Sequence, residues 1–291
     1  MGRTIRHIAF DACHACVPAA LFASILLLTM FSVQPVLVVL SLTGALAFSA
    51  LARGPRATLL GLRWQLPMLA LVCIANPLFS ASGSTLLVRL GPVCVYAESL
   101  AYGAVMGALM VSVVVWFEDA AAVLTQDRLL SLGRGGSSSV ALVVSMASQL
   151  TPQLLRRSRG VEASLSACSA AGPRPGLRER LTRESGQLMT WALEDSLERA
   201  DAMRARGWES GARRTSYRAD ILRESDAAKT CGVVVLALLC AFLAAVACGQ
   251  WSFYPVMPAL VCWWGYAPYA ALMLLPAVAA VTERIRWRGL E

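Results

Sequence analysis

Long runs of apolar residues constrain the fold of this sequence more than any other feature. A helix needs about 20 mainly apolar residues to cross the hydrocarbon core of a bilayer, with a range of roughly 17 to 25. Six segments of about this length stand out, at 15–33, 35–51, 64–79, 94–117, 230–248 and 257–281. The sequence therefore predicts an all-α, polytopic membrane protein with about six transmembrane helices.

Composition excludes an ordinary soluble domain. Hydrophobic residues make up 57% of the chain and charged residues only 15%, whereas soluble domains have about 45–50% and about 25%. The formal net charge is +8, but the arginines lie between apolar runs rather than on a basic face studded with aromatic residues. We therefore expect the lipid bilayer, and no nucleic acid, as a partner.

The distribution of arginines predicts the orientation, because lysine and arginine accumulate on the cytoplasmic side of membrane helices. With six spans and a cytoplasmic N-terminus, Arg89 is the only cation left outside. The stretches then assigned to the inside are 3–6, 53–63, 118–229 and 284–288. We expect a multi-pass protein of the cell (cytoplasmic) membrane with both termini in the cytoplasm.

A long polar insert divides the chain into three predicted parts. Residues 1–117 form a membrane domain with four spans, 118–229 a cytoplasmic coupling-helix module, and 230–291 the last two spans and a cytoplasmic tail. Within the insert, 140–150 is apolar but too short to span a bilayer, which predicts an interfacial or protein-buried helix. A seventh span there would place the C-terminal arginines outside.

Two amphipathic helices are predicted inside the insert. Small and apolar side chains recur at three-and-four spacing over 182–206, with acidic residues on the opposite side. Gly207 suits the left-handed conformation that ends helices. A second helix is predicted at 152–171, before the Gly/Pro-rich break at 172–176. Periodicity leaves open whether the longer helix binds a partner, packs on its own chain or lies on the membrane.

Metal and redox chemistry have one weak candidate. Cys13-His14-Ala15-Cys16 has the CxxC spacing of half a zinc site or a redox pair. No second CxxC or clustered His/Cys pair completes it, so we interpret these residues as small side chains that enter the first membrane helix. We predict no metal site and no cofactor.

Catalytic motifs are missing from the sequence. There is no Gly-rich phosphate loop of the G-x-x-x-x-G-K-[ST] kind, no H-E-x-x-H, no G-x-S-x-G and no carboxylate pair within a predicted span. Ionisable residues in the spans are nearly missing, which disfavours a substrate site built from intramembrane charges. We therefore expect a non-catalytic chain that does not itself bind ATP through such a loop.

Several motifs resemble one transporter family over nearly the whole chain. They are Asn76-Pro77-Leu78-Phe79-Ser80, Glu98-Ser99-Leu100-Ala101-Tyr102-Gly103, Trp116-Phe117, Thr190-Trp191-Ala192-Leu193-Glu194-Asp195, Ala200-Asp201-Ala202-Met203-Arg204-Ala205-Arg206-Gly207-Trp208, Arg214-Thr215, Tyr254-Pro255, Pro276, Glu283 and Trp287. Together they resemble the transmembrane T component of energy-coupling-factor (ECF) transporters, which are ABC-type importers. The most specific element is the Ala-Arg-Gly signature at the end of a long amphipathic helix.

The resemblance implies a division of labour among several chains. Two ABC-type ATPase subunits would power uptake, a substrate-binding S component would bind a vitamin or a transition-metal ion such as cobalt or nickel, and the T component would couple them. In the family, Ala-Arg-Gly motifs at the ends of two cytoplasmic helices dock on the ATPases. By position, Ala205, Arg206 and Gly207, with Met203 and Arg204, would make one contact. The other motif would fall at Ala167, Cys168 and Ser169, where no arginine is present.

Two other classes of function remain open at the level of sequence. One is a self-sufficient permease or channel in which the insert is a regulatory domain. The other is an intramembrane enzyme, which would need a convergent polar cluster. In the family that the chain resembles, another polypeptide selects the substrate, so this sequence does not identify it.

Overall fold

The computed structural model describes residues 10, 13–79, 85–90, 93–125, 128–129, 132, 138–168, 176–208, 210, 223–253, 258 and 263–288. The helices and strands in these ranges are α1 (Cys16–Phe31), α2 (Pro35–Ala52), α3 (Pro55–Phe79), β1 (Leu86–Leu90), β2 (Val93–Tyr96), α4 (Ala97–Val123), α5 (Ser138–Cys168), α6 (Leu177–Ala205), α7 (Glu224–Gly249) and α8 (Tyr266–Arg288). The chain divides into two compact units, the first formed by Met1–Leu129 and Asp220–Glu291, the second by Leu130–Ala219.

The first unit contains the helices that could cross a membrane. Among the described residues, five helices are long and apolar enough to do so, namely α2, α3, α4, α7 and α8. The apolar helix α1 has only 16 residues, or about 24 Å, against a hydrocarbon core of about 30 Å. The prediction of a helical chain with several helices that could span a membrane is confirmed in this form, with α1 as a shorter sixth apolar helix.

Several element boundaries differ from those expected, and two of them change the architecture. Helix α3 begins at Pro55 and continues through Pro67 and Pro77, so it is longer than the segment 64–79. Residues 93–96 form a strand rather than the start of the next span, and this strand pairs antiparallel with β1 through Arg89↔Cys94 and Leu90↔Val93. Both strands are rich in β-favouring side chains and flank Gly91-Pro92 in the sequence. This hairpin is a short interruption of an otherwise helical architecture.

The core of the first unit combines aromatic packing with a chain of hydroxyl groups. The ring of Phe22 packs 5.7 Å from that of Phe48 and 6.2 Å from that of Trp116. Beside them, Ser41 Oγ lies 2.8 Å from Thr29 Oγ1 and 2.9 Å from Ser112 Oγ, and it accepts a hydrogen bond from Trp116 Nε1 at 3.0 Å. Hydrogen bonds of this kind join helices where water is absent. They connect α1, α2 and α4.

Glycines allow α3 and α4 to approach closely. A Cβ atom at Gly103 would lie 3.0 Å from Asn76 Cβ and from the Cys73 carbonyl oxygen, and one at Gly107 would lie 3.1 Å from the Leu69 carbonyl oxygen. The two glycines are four residues apart and therefore share one face of α4, as in the G-x-x-x-G motif of packed membrane helices. Larger side chains at either position would push the two helices apart.

The second unit contains an antiparallel hairpin of α5 and α6. Glu162 forms an ion pair with Arg180 near one end, the Arg157 guanidinium lies 5.0 Å from the centre of the Trp191 ring, and Arg199 donates to Gln153. A guanidinium over an indole face is a favourable cation–π contact. These polar contacts and the small residues of α6 hold the two helices side by side.

The sequence predicts separate helices at 140–150 and 152–171, but the described residues of both segments belong to the continuous helix α5. Pro152 lies inside it and removes one backbone donor. Met146 and Leu150, before the proline, line a cavity of about 480 Å³ with residues of α6, and Gln153 contacts α6 after it. Packing on both sides of Pro152 therefore stabilises one helix across the position where the sequence suggests a break.

Candidate functional site

The C-terminal end of α6, which carries the predicted coupling residues, is a Schellman motif. The Trp208 N–H donates to the Met203 carbonyl at 3.0 Å, and the Gly207 N–H donates to the Arg204 carbonyl at 2.9 Å. Gly207 has a φ of +77°, the left-handed conformation in which glycine is favoured. The prediction that Gly207 ends this helix is confirmed.

Residues at this helix end differ in exposure, because some pack against α5 and others face solvent. Met203 and Trp208 are half-buried and line one cavity between α5 and α6, the apolar contact that accompanies such helix ends. Ala205, Arg206 and Gly207 are exposed. The backbone that carries Arg206 is thus held by hydrogen bonds and by apolar contacts of its neighbours, while its side chain extends from the end of the helix.

Two exposed arginines, Arg204 and Arg206, lie at this end of the helix. Arg204 lies 3.7 Å from Asp201 across one turn, whereas Arg206 forms no ion pair with any residue that the structure describes. A guanidinium offers five donors in a planar fork that matches carboxylates and carbonyls. Small neighbours such as Ala205 and Gly207 let another backbone approach it. The arrangement has the chemistry of a binding surface.

The apolar side chains of α6 divide between two faces. Ala192, Ala200 and Met203 are half-buried against α5, as part of the cavity lining. Leu193 and Leu197, on the adjoining face, are 59% and 68% exposed. Sequence periodicity had grouped all of these residues in one stripe. The helix therefore uses one edge of its apolar side within the hairpin and leaves the other edge uncovered by the described residues.

Sequence reasoning missed the polar contacts that position α6. Asp195 and Arg199 form an ion pair of 2.6 Å across one turn, and Arg199 also donates to Gln153 of α5. Trp191 lies under Arg157. The spacing of Asp195 and Arg199 could have indicated the pair within α6, but nothing local indicates their partners on α5.

The second predicted contact lies at the other end of the hairpin. Ala167 and Cys168 are exposed in the last turn of α5, while Ser169 lies outside the described residues. Because the helices are antiparallel, the end of α5 neighbours the start of α6, and α6 has 29 residues, or about 40 Å of helix. The structure therefore does not bring Ala167 and Cys168 together with Arg206.

The side chains of the CxxC segment contact the start of α1 and Lys229 of α7. His14 Nδ1 accepts a hydrogen bond from the Cys16 N–H at 3.2 Å at the start of α1, and Cys13 Sγ lies 3.7 Å from Lys229 Nζ. Among the residues that the structure describes, no group of three His, Cys, Asp or Glu side chains could hold a metal ion. The histidine ring serves here as an acceptor for a helix-start backbone donor.

Substituting Gly207 tests the geometry of this helix end. Gly207→Ala should destabilise the last turn of α6 by about 1–2 kcal/mol, because a Cβ atom disfavours the left-handed conformation. Hydrogen exchange at the Gly207 and Trp208 amides, which close the motif, should accelerate. Gly186→Ala is a matched control within the same helix, where an added Cβ meets no atom within 4 Å. It should instead stabilise α6 by about 0.5–1 kcal/mol, and equal effects of both variants would contradict the assignment.

Comparison with known proteins adds no family to this picture. No protein-family model matches the chain, and no curated protein matches it. A functional conclusion therefore depends on the residues and the geometry described above.

Proposed function

We propose that this chain is the transmembrane coupling subunit of an ECF-type ABC importer. In this role it transmits ATP-driven motion of two ATPase subunits to a separate substrate-binding S component, for uptake of a vitamin or a transition-metal ion. The observation that carries the proposal is the end of α6, where a hydrogen-bonded motif presents Ala205, Arg206 and Gly207 to solvent. The same three residues carry the most specific part of the sequence resemblance.

The geometry of the α5–α6 hairpin suits the transmission of motion between subunits. Helix α6 has 29 residues, and an α-helix of this length extends about 40 Å. Helix α5 braces it through the Arg157–Trp191 stack and the Glu162–Arg180 ion pair. A displacement imposed at Arg206 would move the braced helix as one piece. The exposed apolar edge at Leu193 and Leu197 would face another protein surface in the assembled importer.

The proposal also assigns a location. The second unit would lie in the cytoplasm, because the ATPases that it contacts are cytoplasmic, and the protein would reside in the cytoplasmic membrane with both termini inside. The basic stretches at 53–63 and 284–288 agree with this orientation under the positive-inside tendency. Catalysis of ATP hydrolysis would belong to the partner chains.

A charge reversal at Arg206 tests the proposed contact. Arg206→Glu should reduce recovery of the ATPase subunits with the tagged chain by at least about tenfold, because truncating or reversing a buried interfacial charge costs about 2–5 kcal/mol or more. Substrate uptake in cells or vesicles should fall in parallel. Quantitative mass spectrometry after gentle purification from the native membrane measures the first effect.

Arg178→Glu is the matched control for this experiment. Arg178 is exposed in the first turn of the same helix, about 40 Å from Arg206, and a negative charge is favourable at a helix start. This variant should retain the ATPases and uptake. If Arg206→Glu also retained both, the assigned contact would be wrong, and if the unmodified chain carried substrate with no ATPase present, a self-sufficient permease would replace the proposal.

A further inference from the structure

A groove lies between α1, α7 and α8 in the first unit. Its volume is about 620 Å³, within the range of about 300–1,000 Å³ typical of ligand sites. The walls are apolar and include Leu21 of α1, Leu236 of α7 and Leu275 of α8. All three helices are apolar, and α7 and α8 are long enough to cross a bilayer. In a bilayer, a groove on such helices would be in contact with lipid.

One end of this groove is polar. Lys229, Thr282, Glu283 and Arg286 line it there together with Cys13. These residues belong to the segment before α1, the early part of α7 and the late part of α8. Hydrogen bonds from backbone to carboxylate join the three segments at this end, because the Phe10 N–H donates to Glu283 Oε2 at 2.8 Å and the His14 N–H donates to Asp226 Oδ2 at 3.4 Å. The groove therefore passes from apolar walls to a polar rim.

The cations at the rim are more available than the acids. Glu283 accepts from the Phe10 backbone, and Asp226 is buried and accepts from the His14 backbone. Lys229 lies 3.5 Å from Asp226, but more than half of its side chain is exposed. Arg286 is exposed and forms no hydrogen bond or ion pair within the part of the chain that the structure describes. The rim thus offers two exposed cationic groups to an anion.

We propose that this groove binds one anionic phospholipid of the surrounding leaflet. Its acyl chain would lie against the apolar walls, and its phosphate would contact Lys229 and Arg286. Apolar walls ending in a basic rim are complementary to this amphiphile, and basic pockets between membrane helices are known to bind such headgroups. The Glu283 carboxylate at the same rim favours a headgroup with a neutral polar part, such as glycerol, beside the phosphate. The proposal is independent of the coupling function.

Lipid titration of the full chain tests the basic rim. The chain is purified in detergent, and binding of phosphatidylglycerol and of phosphatidylcholine with identical acyl chains is measured by native mass spectrometry. Phosphatidylglycerol should bind more tightly. Lys229→Gln and Arg286→Gln should each weaken its binding about fivefold, and the double variant about thirtyfold, since a cation near an anionic headgroup contributes about 1 kcal/mol. Arg284→Gln removes the same charge outside the groove lining and should have little effect.

A second variant tests the apolar part without changing charge. Gly232 lines the groove, and a Cβ atom there meets nothing within 4 Å, so Gly232→Leu should fill the groove without disturbing the fold. It should weaken phosphatidylglycerol binding at least about tenfold, while Gly249→Leu, also in open space on α7, should not. Thermal unfolding in detergent verifies that both variants fold.

Three outcomes would overturn the proposal. The first is equal affinity for phosphatidylglycerol and phosphatidylcholine, with no change in either the charge variants or the glycine variants. The second is full competition by glycerol 3-phosphate, which would mean that the acyl chain contributes nothing. The third is loss of self-association in Gly232→Leu with unchanged lipid binding, which would assign the groove to a second copy of this chain.

Discussion

Replacing Arg53 with methionine should destabilise the first unit by up to about 3–5 kcal/mol, the cost of removing one partner from an ion pair whose other side chain is buried. Arg53 follows α2 as its C-cap residue, and its Nε lies 3.1 Å from Asp119 Oδ1 while its Nη1 lies 2.5 Å from Glu118 Oε2. The Asp119 side chain is fully buried. Without the Arg53 guanidinium, the buried Asp119 carboxylate would lose the cation that this ion pair supplies. Unfolding by sodium dodecyl sulfate in mixed micelles measures the loss.

The double variant Arg53→Met/Asp119→Leu should recover most of this stability, because an apolar pair of similar volume often replaces a buried ion pair at little cost. Arg56→Met removes an exposed arginine at the start of α3 and should change stability by less than about 0.5 kcal/mol. A loss below about 1 kcal/mol in Arg53→Met, with no recovery in the double variant, would show that Asp119 carries no charge that needs compensation.

The features that the sequence predicted well depend on local physical chemistry. Apolar runs determine which helices can lie in a bilayer, and they are visible without any knowledge of contacts. The end of α6 at Gly207 is also local, because the left-handed conformation there depends on the absence of a Cβ atom. The helical, multi-pass architecture and this helix end could therefore both be predicted before any contact was known.

The structural roles of charged residues are harder to predict from sequence, because they depend on partners that are distant in the chain. The position of Arg53 after an apolar run indicates only an orientation signal, and the local sequence places Glu118 at the start of the polar insert. In the structure α4 continues to Val123, and Glu118 and Asp119 both pair with Arg53. A carboxylate within such a helix needs a cation or hydrogen-bond donors beside it, as Glu98 has from Thr85, and local sequence does not reveal those neighbours.

The candidate site also combines features that local sequence predicts with features that depend on distant residues. Local sequence predicted the exposed end of α6 but not the brace that α5 provides, because Arg157 and Gln153 are far from Trp191 and Arg199 in the chain. The placement of Ala167 and Cys168 away from Arg206 also follows from the antiparallel pairing rather than from either motif. By contrast, the four-residue spacing of Gly103 and Gly107 indicates close helix packing from sequence alone, although the sequence prediction did not use it.

Gly44, the one glycine of α2, should be hard to replace because it lies where α2 crosses α8. A Cβ atom built on it would lie 2.8 Å from the Met273 carbonyl oxygen and 3.0 Å from Met273 Cβ, and Met273 is fully buried. Overpacking of this kind costs about 1–3 kcal/mol, more than the 0.5–1 kcal/mol or so that alanine gains over glycine in a helix. Gly44→Ala should therefore destabilise the first unit, and Gly44→Leu should disrupt the packing of α2 on α8.

Gly232→Leu separates the steric effect from the general consequences of replacing a membrane-helix glycine. It introduces the same side chain into a helix of the same unit, but into open space, so its unfolding midpoint in detergent should match or exceed that of the unmodified chain. The midpoint should fall progressively from Gly44 to Gly44→Ala to Gly44→Leu, because only backbone displacement can relieve a clash with a carbonyl oxygen. Equal midpoints for Gly44→Leu and Gly232→Leu would mean that α2 and α8 do not cross at this distance.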